Sequence, residues 1–511
     1  MLSFVQSMCV FGIEAFNVRV ETDISSGLPG VSIVGLPDKS VSESKERVRS
    51  AINNSGYRFP SGRVTVNLAP GDRRKEGALF DLPIALGILS ANGSIDPLAL
   101  ERFVVVGELS LDGIVRKVDG ILPMALKASG KEDVVFIVPY ENGEEAKLAG
   151  NLRVYPVKSL RQAVEAIIEV KDFTIGETNF TRDIDYSYDL DFSEIKGHNS
   201  AKRAFEITAG GNHNILMIGP PGSGKTMLAR SLPSILPPLS FEEALEVTRI
   251  YSVRGMLKDG TPILKQRPFR APHCSSSYAG LVGGGSNAMP GEISFAHKGV
   301  LFLDELPEFR KSVIEMLRQP MEDGKVLISR SQYSFSYPAS FMLVASMNPC
   351  PCGYWGDRKK RCDCPPGTVK KYFNKISGPI MDRIDIHLEV PRLTNLEFYE
   401  TKKVEPSFEI RKRVEDCRNL QTERCRAKGG NVKWNADLSP KEIEEFCICE
   451  PNAKRMLQDS MERLGLTARA YGKILKISRT IADLNETAVI KEDHIAEALH
   501  YRSLDREKYF E

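Results

Sequence analysis

Between positions 214 and 233 the chain reads NILMIGPPGSGKTMLARSLP. Within it, Gly219 to Thr226 carry the spacing glycine, four residues, then Gly-Lys-Thr. Those residue types suit a phosphate cradle. Gly219, Pro220, Pro221, Gly222, Ser223 and Gly224 form a loop whose glycines let backbone N–H groups close around phosphate oxygens. Lys225 then supplies a cation for the β- and γ-phosphates, and Thr226 a hydroxyl ligand for Mg²⁺. A β-type run enters the loop and a helical run leaves it, the context that separates such a cradle from a chance glycine-rich turn.

A second segment supplies partners. GVLFLDEL (299–306) is an apolar strand ending in two carboxylates. Asp304 is placed to hold Mg²⁺ and Glu305 to polarise an attacking water, the division of labour that phosphoryl transfer uses. Carboxylate pairs at strand ends are common, but this one lies about eighty residues after a phosphate loop. FMLVASMN (341–348) is another apolar strand, and its terminal Asn348 can orient a lytic water or touch the γ-phosphate. In SGPIMDRIDIHLEV (377–390), Arg383 precedes a β-type run, a fitting place for a finger that completes a neighbouring subunit's site. An ordinary ion-paired arginine is the alternative.

A different chemistry interrupts this set. CPCGYWGDRKKRCDC (350–364) holds Cys350, Cys352, Cys362 and Cys364, with Arg358 to Arg361 between the pairs. Two C-x-C pairs can close a tetrahedral tetrathiolate Zn²⁺ site, and the basic run would offset its charge or face DNA. Reduced thiols are the alternative. With no histidine ligand and no open position, a zinc there is structural, a clip between the sensor strand and Arg383. Cys447 and Cys449 form a third C-x-C, predicted to be ordinary helix residues.

These groups need a scaffold. Residues 1–170 alternate β-type runs (31–36, 64–70, 103–109, 134–139) with helical runs at 82–93 and 120–130, after an N-terminal stretch read as a first strand. Residues 171–192 are polar and acidic and read as a linker. Residues 193–395 alternate strands and helices with glycine-rich loops, and 396–511 read as almost purely helical. The predicted fold class is therefore multidomain α/β with a helical C-terminal domain.

At this point the motifs resemble a family. A Walker A loop, an Asp-Glu strand end, an Asn-ended strand, a following arginine and a helical lid are similar to AAA+ ATPases. FRAPHCSSSYAGLVGGG (269–285), PGEISFAHKGVLFLDELPEF (290–309), LRQPMEDGKVLISR (317–330) and SMNPCPCG (346–353) resemble the YifB/ComM group of magnesium-chelatase-like proteins, over the whole chain. The resemblance implies ATP and Mg²⁺ as cofactors and a ring, a hexamer in this group, that acts on DNA as a branch-migration helicase in recombination or natural transformation. It implies that Arg469 is the lid's sensor arginine, that Ile195 and Gly197 flank the adenine, and that the insertion at about 250–298 and the hairpin at 324–340 line a central pore. Arg330, near the hairpin tip, would touch a phosphate or be solvated. A His-His pair common after APH in related sequences is His273-Cys274 here, which weakens a metal reading of that spot.

The first domain resembles the Lon-type, ribosomal-S5-like protease fold. The serine position falls near Leu79, and Leu122 to Met124 stand where the lysine belongs. Lys117 and Lys127 have no hydroxyl to activate, so no Ser-Lys dyad is expected. Arg58, Arg63, Arg73, Arg74 and Lys75 give a locally basic stretch that could meet nucleic acid or be solvated.

Bulk composition sets bounds. The chain has 511 residues, 42% hydrophobic and 27% charged, with a net charge of +2, so DNA binding would need local basic patches. No apolar run reaches eighteen residues, and ten cysteines fit a reducing compartment; a cytoplasmic protein without membrane partners is expected. The competing function is a metal-chelatase-like or protein-remodelling motor. Against the chelatase stands the expectation that its motor subunit lacks the first domain and the cysteine loop.

Overall fold

The computed structural model describes residues 2–169, 188–258, 260–285, 288–329, 334–357, 359–393, 404–429 and 433–502. Most of the expected linker, Arg330 and Arg358 lie outside them. The chain divides into two compact units: Met1–Arg182 with Ser240–Lys265, and Asp183–Leu239 with Gln266–Glu511.

The first unit is built on a seven-stranded mixed sheet. Its order is Gly30–Val34, Arg63–Ala69, Glu14–Ser25, Leu2–Phe11, Phe103–Val105, Val135–Pro139, Arg153–Val157. The N-terminal stretch, expected as one strand, is two: Gly12 adopts φ 67° and turns Leu2–Phe11 back on Glu14–Ser25, in register from Leu2↔Asp23 to Phe11↔Glu14. Helix Asp81–Ala91 is buried at every position, as a helix apolar on all faces must be. Its one carboxylate, Asp81, is ion-paired with Arg47 at 2.7 Å and accepts from the Leu109 N–H at 3.3 Å. Residues 240–265 pack into this unit. Helix Phe241–Val253 starts at a Ser240–Glu243 capping box. Ser252 Oγ at its end donates to the buried Glu145 carboxylate at 2.6 Å, and its carbonyl accepts from Gly120 N at 3.0 Å.

The second unit carries a five-stranded, all-parallel sheet ordered Phe269–Arg270, Val300–Leu303, Met342–Met347, Ile215–Ile218, Ile386–Glu389. The three middle strands are buried throughout. This explains why they read as continuous apolar runs instead of alternating. Strands Lys325–Ser329 and Ser334–Pro338 pair antiparallel as the expected hairpin. Helices Ser407–Ala427, Pro440–Phe446, Pro451–Leu464, Ala468–Leu484 and Glu492–His500 complete the unit. Cys447 and Cys449 lie just past a helix end, and Cys449 bridges to Ile490, so the helical reading of that pair does not hold. Among the described residues, no helix is long and apolar enough to cross a membrane.

The lid is tied to the sheet through a buried charge cluster. Asp385 takes Lys473 at 3.0 Å, the Asn214 N–H at 3.0 Å and His213 at 3.6 Å. Burial alone would raise the Asp385 pKa. Lys473, His213 and the amide outweigh it and hold the carboxyl well below its ordinary range.

Candidate functional site

The phosphate loop leaves the carboxyl end of Ile215–Ile218 and runs into helix Lys225–Ser231. Gly222 and Gly224 take φ 75° and 86°, conformations that turn successive amides to one side. Gly219 is required for a different reason. A Cβ there would lie 2.1 Å from the Val390 carbonyl oxygen, so the loop and the end of the last strand touch backbone to backbone. Ser223 Oγ is buried in the cradle without a hydrogen-bond partner.

Lys225 Nζ donates to the carbonyls of Gly219 (2.7 Å) and Pro220 (3.0 Å) and to Asn348 Oδ1 (3.3 Å). Burial pushes its ammonium down to about 8, while Asp304 and Glu305 pull the other way. Thr226 Oγ1 donates to Asp304 Oδ2 at 3.0 Å. The structure therefore brings Lys225, Thr226, Asp304, Glu305 and Asn348 to the carboxyl ends of three adjacent strands, where open parallel sheets place ligands. Glu305 sits in the left-handed region at φ 53°. Its N–H faces Ser346 Oγ at 3.4 Å, and Ser346 also hydrogen-bonds Asp304. The segment Ile195–His198 joins the site. Gly197 takes φ 58°, Ile195 is buried, and the His198 ring is 3.6 Å from where a Cβ on Gly224 would stand.

Arg383 and Arg469 are elsewhere. Arg383 precedes the amino end of strand Ile386–Glu389, which pairs with the phosphate-loop strand at Ile215↔Ile386. Four strand residues, about 13 Å at ~3.3 Å each, separate that end from the cradle. There Arg383 donates to the Pro379 carbonyl at 2.6 Å and is ion-paired with Glu322. Arg469, matched to the lid's sensor position, is ion-paired at 2.7 Å with Asp382, the neighbour of Arg383, and is 76% exposed. The two arginines share one corner, at the far end of the sheet from Lys225.

The four cysteines converge. Cys350, Cys352 and Cys362 have Sγ–Sγ distances of 3.3, 3.6 and 3.6 Å, and all four sulfurs lie within 4.8 Å of one another. The Tyr354 N–H holds the Cys352 thiol down to about 6, whereas burial and the neighbouring sulfurs push Cys362 up to about 12. Four sulfurs this close cannot all ionise unless a cation joins them.

The structure adds three contributors to the site. Ser346 is the polar residue in an otherwise apolar buried strand, which was a readable signal. Arg392 donates to the Pro221 carbonyl at 3.3 Å, and Gly353 packs against Pro221; neither carries a local signature. In the first unit, Leu122 and Met124 are fully buried, and Leu79 lies in the turn leading into helix Asp81–Ala91. Apolar side chains thus stand where the resemblance would put a Ser-Lys dyad. Lys75 drops out of the basic stretch: it is fully buried, with Nζ bonded to the Pro70 carbonyl, and burial lowers its pKa.

Comparison with known proteins accords with this arrangement. A family model described as magnesium chelatase, subunit ChlI, matches residues 191–398, and one described as its C-terminal part matches 404–502. The competence protein ComM of Haemophilus influenzae is 42% identical over 511 residues, covering 99% of this chain and 98% of that protein. The chain belongs to the YifB/ComM family of magnesium-chelatase-like AAA+ proteins. Uncharacterized protein YifB of Escherichia coli is likewise 42% identical, over 99% of this chain and 98% of its own. The magnesium-chelatase 38 kDa subunit of Cereibacter sphaeroides is 27% identical over 31% of this chain and 52% of its own. A further model, described as subunit ChlI of Mg-chelatase, matches residues 20–142.

Proposed function

We propose that this YifB/ComM chain is an ATP-hydrolysing, ring-forming motor that acts on DNA, as a branch-migration helicase in recombination or natural transformation. One observation carries the ring: the cradle and Arg383 lie at opposite ends of one sheet. Arg383 cannot reach its own chain's phosphates, so it serves a neighbour's, and Arg469 beside it serves the same neighbour. A closed ring, a hexamer in this reading, supplies every site with such a neighbour.

Within the site, the donor set fits ATP with Mg²⁺. The orphaned Ser223 hydroxyl and the inward-turned amides suit phosphate oxygens, and Lys225 neutralises them. Thr226 and Asp304 would hold Mg²⁺, which when bound offsets charge on the transferring phosphoryl group. Glu305 takes up the proton of the attacking water, Asn348 orients that water, and Ile195 and Gly197 flank the base. The four-cysteine loop holds structural Zn²⁺: ligands at ~2.3 Å in a tetrahedron place sulfurs about 3.8 Å apart, close to the spacing here. The first unit is read as a Lon-like fold without the dyad, a guiding domain and not a protease. The protein is placed in the cytoplasm.

DNA as the substrate rests on the family resemblance and on the name of the ComM relative, a competence protein. The chelatase models spanning both units favour a second reading, a metal-chelatase-like or protein-remodelling motor. The deciding experiment is ATP-dependent migration of a labelled synthetic four-way junction, with Lys225→Ala as control. Migration that needs ATP and Lys225 supports the helicase. ATP hydrolysis indifferent to any DNA, with no migration, moves the assignment to the second reading.

A further inference from the structure

We infer that the zinc in the four-cysteine loop sets the affinity of the nucleotide site, by holding the loop against the phosphate cradle. The inference rests on the zinc reading above. Residues 350–365 contain no helix or strand among those described. Within this stretch, backbone hydrogen bonds close only tight turns, Gly353 N to Cys350 O at 2.9 Å and Asp357 N to Tyr354 O at 3.0 Å. A loop of this kind keeps one shape only if something cross-links it. The four sulfurs, within 4.8 Å of one another, can supply such a cross-link through a metal.

What the cross-link holds in place is the cradle. Gly353, at φ 85°, lies between Cys352 and the loop tip, and a Cβ on it would stand 2.7 Å from Pro221 Cδ and 2.8 Å from Pro221 Cγ. Arg392 ties the same two pieces together. It donates to the Pro221 carbonyl at 3.3 Å, pairs with Asp357 at 3.4 Å and lies over the Tyr354 ring at 5.4 Å. At the root of the loop, Asn348 accepts from Lys225 two residues before Cys350. Loss of the metal frees Gly353, Tyr354 and Asp357 together, so Pro221 and Asn348 both lose their backing. Misplacing binding groups by ~1 Å can reduce function by about 10²-fold.

The test uses the full-length protein, with zinc measured by mass spectrometry and nucleotide affinity by a fluorescent ATP analogue. One zinc per chain is expected. Chelation should weaken analogue binding about 10- to 100-fold, and added Zn²⁺ should restore it. Cys362→Ser should show the same loss without rescue. Gly353→Ala should weaken binding while zinc content holds, with Tm lowered by the strain of a side chain at φ 85°. Adding Pro221→Ala, which removes the carbons the new methyl meets, should recover part of the affinity. Since Cys362→Ser can fail to fold, chelation and reloading of the unaltered protein is the primary measurement. Zinc present but removable with no change in affinity overturns the coupling and leaves the zinc reading standing. A protein purified without zinc and indifferent to added Zn²⁺ overturns both. Gly353→Ala binding normally overturns the contact as the route.

Discussion

Raising the pH from 7 to 9 should weaken ATP binding about tenfold through one side chain. Lys225 is buried in the cradle, and burial lowers its pKa to about 8 against the opposing pull of Asp304 and Glu305. Phosphate binding needs the ammonium form. With a midpoint near 8, the charged fraction falls from about 0.9 at pH 7 to about 0.1 at pH 9. Affinity is therefore highest below the midpoint and drops as the pH rises through it. An ordinary lysine, near 10.4, would stay charged across this window. The assay is the dissociation constant of a fluorescent ATP analogue at fixed Mg²⁺ and ionic strength. Lys225→Arg, whose guanidinium stays charged, should bind more weakly at every pH but without the slope. Glu305→Gln removes one opposing carboxylate and should move the midpoint lower. A flat profile for the unaltered protein, or an equal slope in Lys225→Arg, would refute the assignment of this titration to Lys225.

Asp385→Ala leaves Lys473 buried without its carboxylate and should cost about 3–5 kcal/mol, read as a lower urea midpoint. Because the folded Asp385 pKa lies below its unfolded value, this stabilisation is complete above about pH 4 and lost only as the pH falls further. Gly219→Ala would drive a methyl into the Val390 carbonyl and should abolish analogue binding while the fold persists, checked by circular dichroism. Arg383→Ala should bind ATP normally yet hydrolyse it about 10³–10⁵-fold more slowly. Mixing it with Lys225→Ala chains should restore part of the hydrolysis, since each supplies the half the other lacks.

Much of the cradle was legible in the sequence because its chemistry is local. Eight consecutive residues set the loop, and the strands carrying Asp304 and Asn348 announce themselves as apolar runs ending in polar residues. The hairpin and the lid helices were readable for the same reason, from short-range periodicity. What failed was non-local. The first strand hid a turn because Gly12 lies within one apolar stretch. Lys75 looked like surface charge because nothing nearby in sequence reveals that it is buried against Pro70. Arg392 and Gly353 gave no sign of their contact with Pro221, which lies more than 130 residues away. Arg469 could be matched to a lid helix, but which end of the sheet that helix reaches depends on Asp382 and Lys473 contacts formed only in the fold.

That last point bears on how the motor would be timed. Lys473 and Arg469 lie one helical turn apart on the same lid helix. Lys473 is locked to Asp385 in a buried pair, whereas Arg469 meets Asp382 in an exposed one. Exposed pairs are worth roughly 0–1 kcal/mol, so the Arg469 contact is easily exchanged for a phosphate, while the buried pair fixes the helix that presents it. Arg383 is held more firmly: its side chain is 18% exposed, and it bonds the Pro379 carbonyl as well as Glu322. Each chain would then offer a rigidly mounted corner with one loosely held arginine, Arg469, and a more sheltered one, Arg383. Capturing a neighbour's ATP needs the release of these two ion pairs, not a refolding of the lid. If so, Asp382→Asn and Glu322→Gln, which remove the competing carboxylates, should raise hydrolysis at low ATP in the assembled ring without changing analogue binding to isolated chains. A fall in hydrolysis would mean the carboxylates position the arginines instead of holding them in reserve.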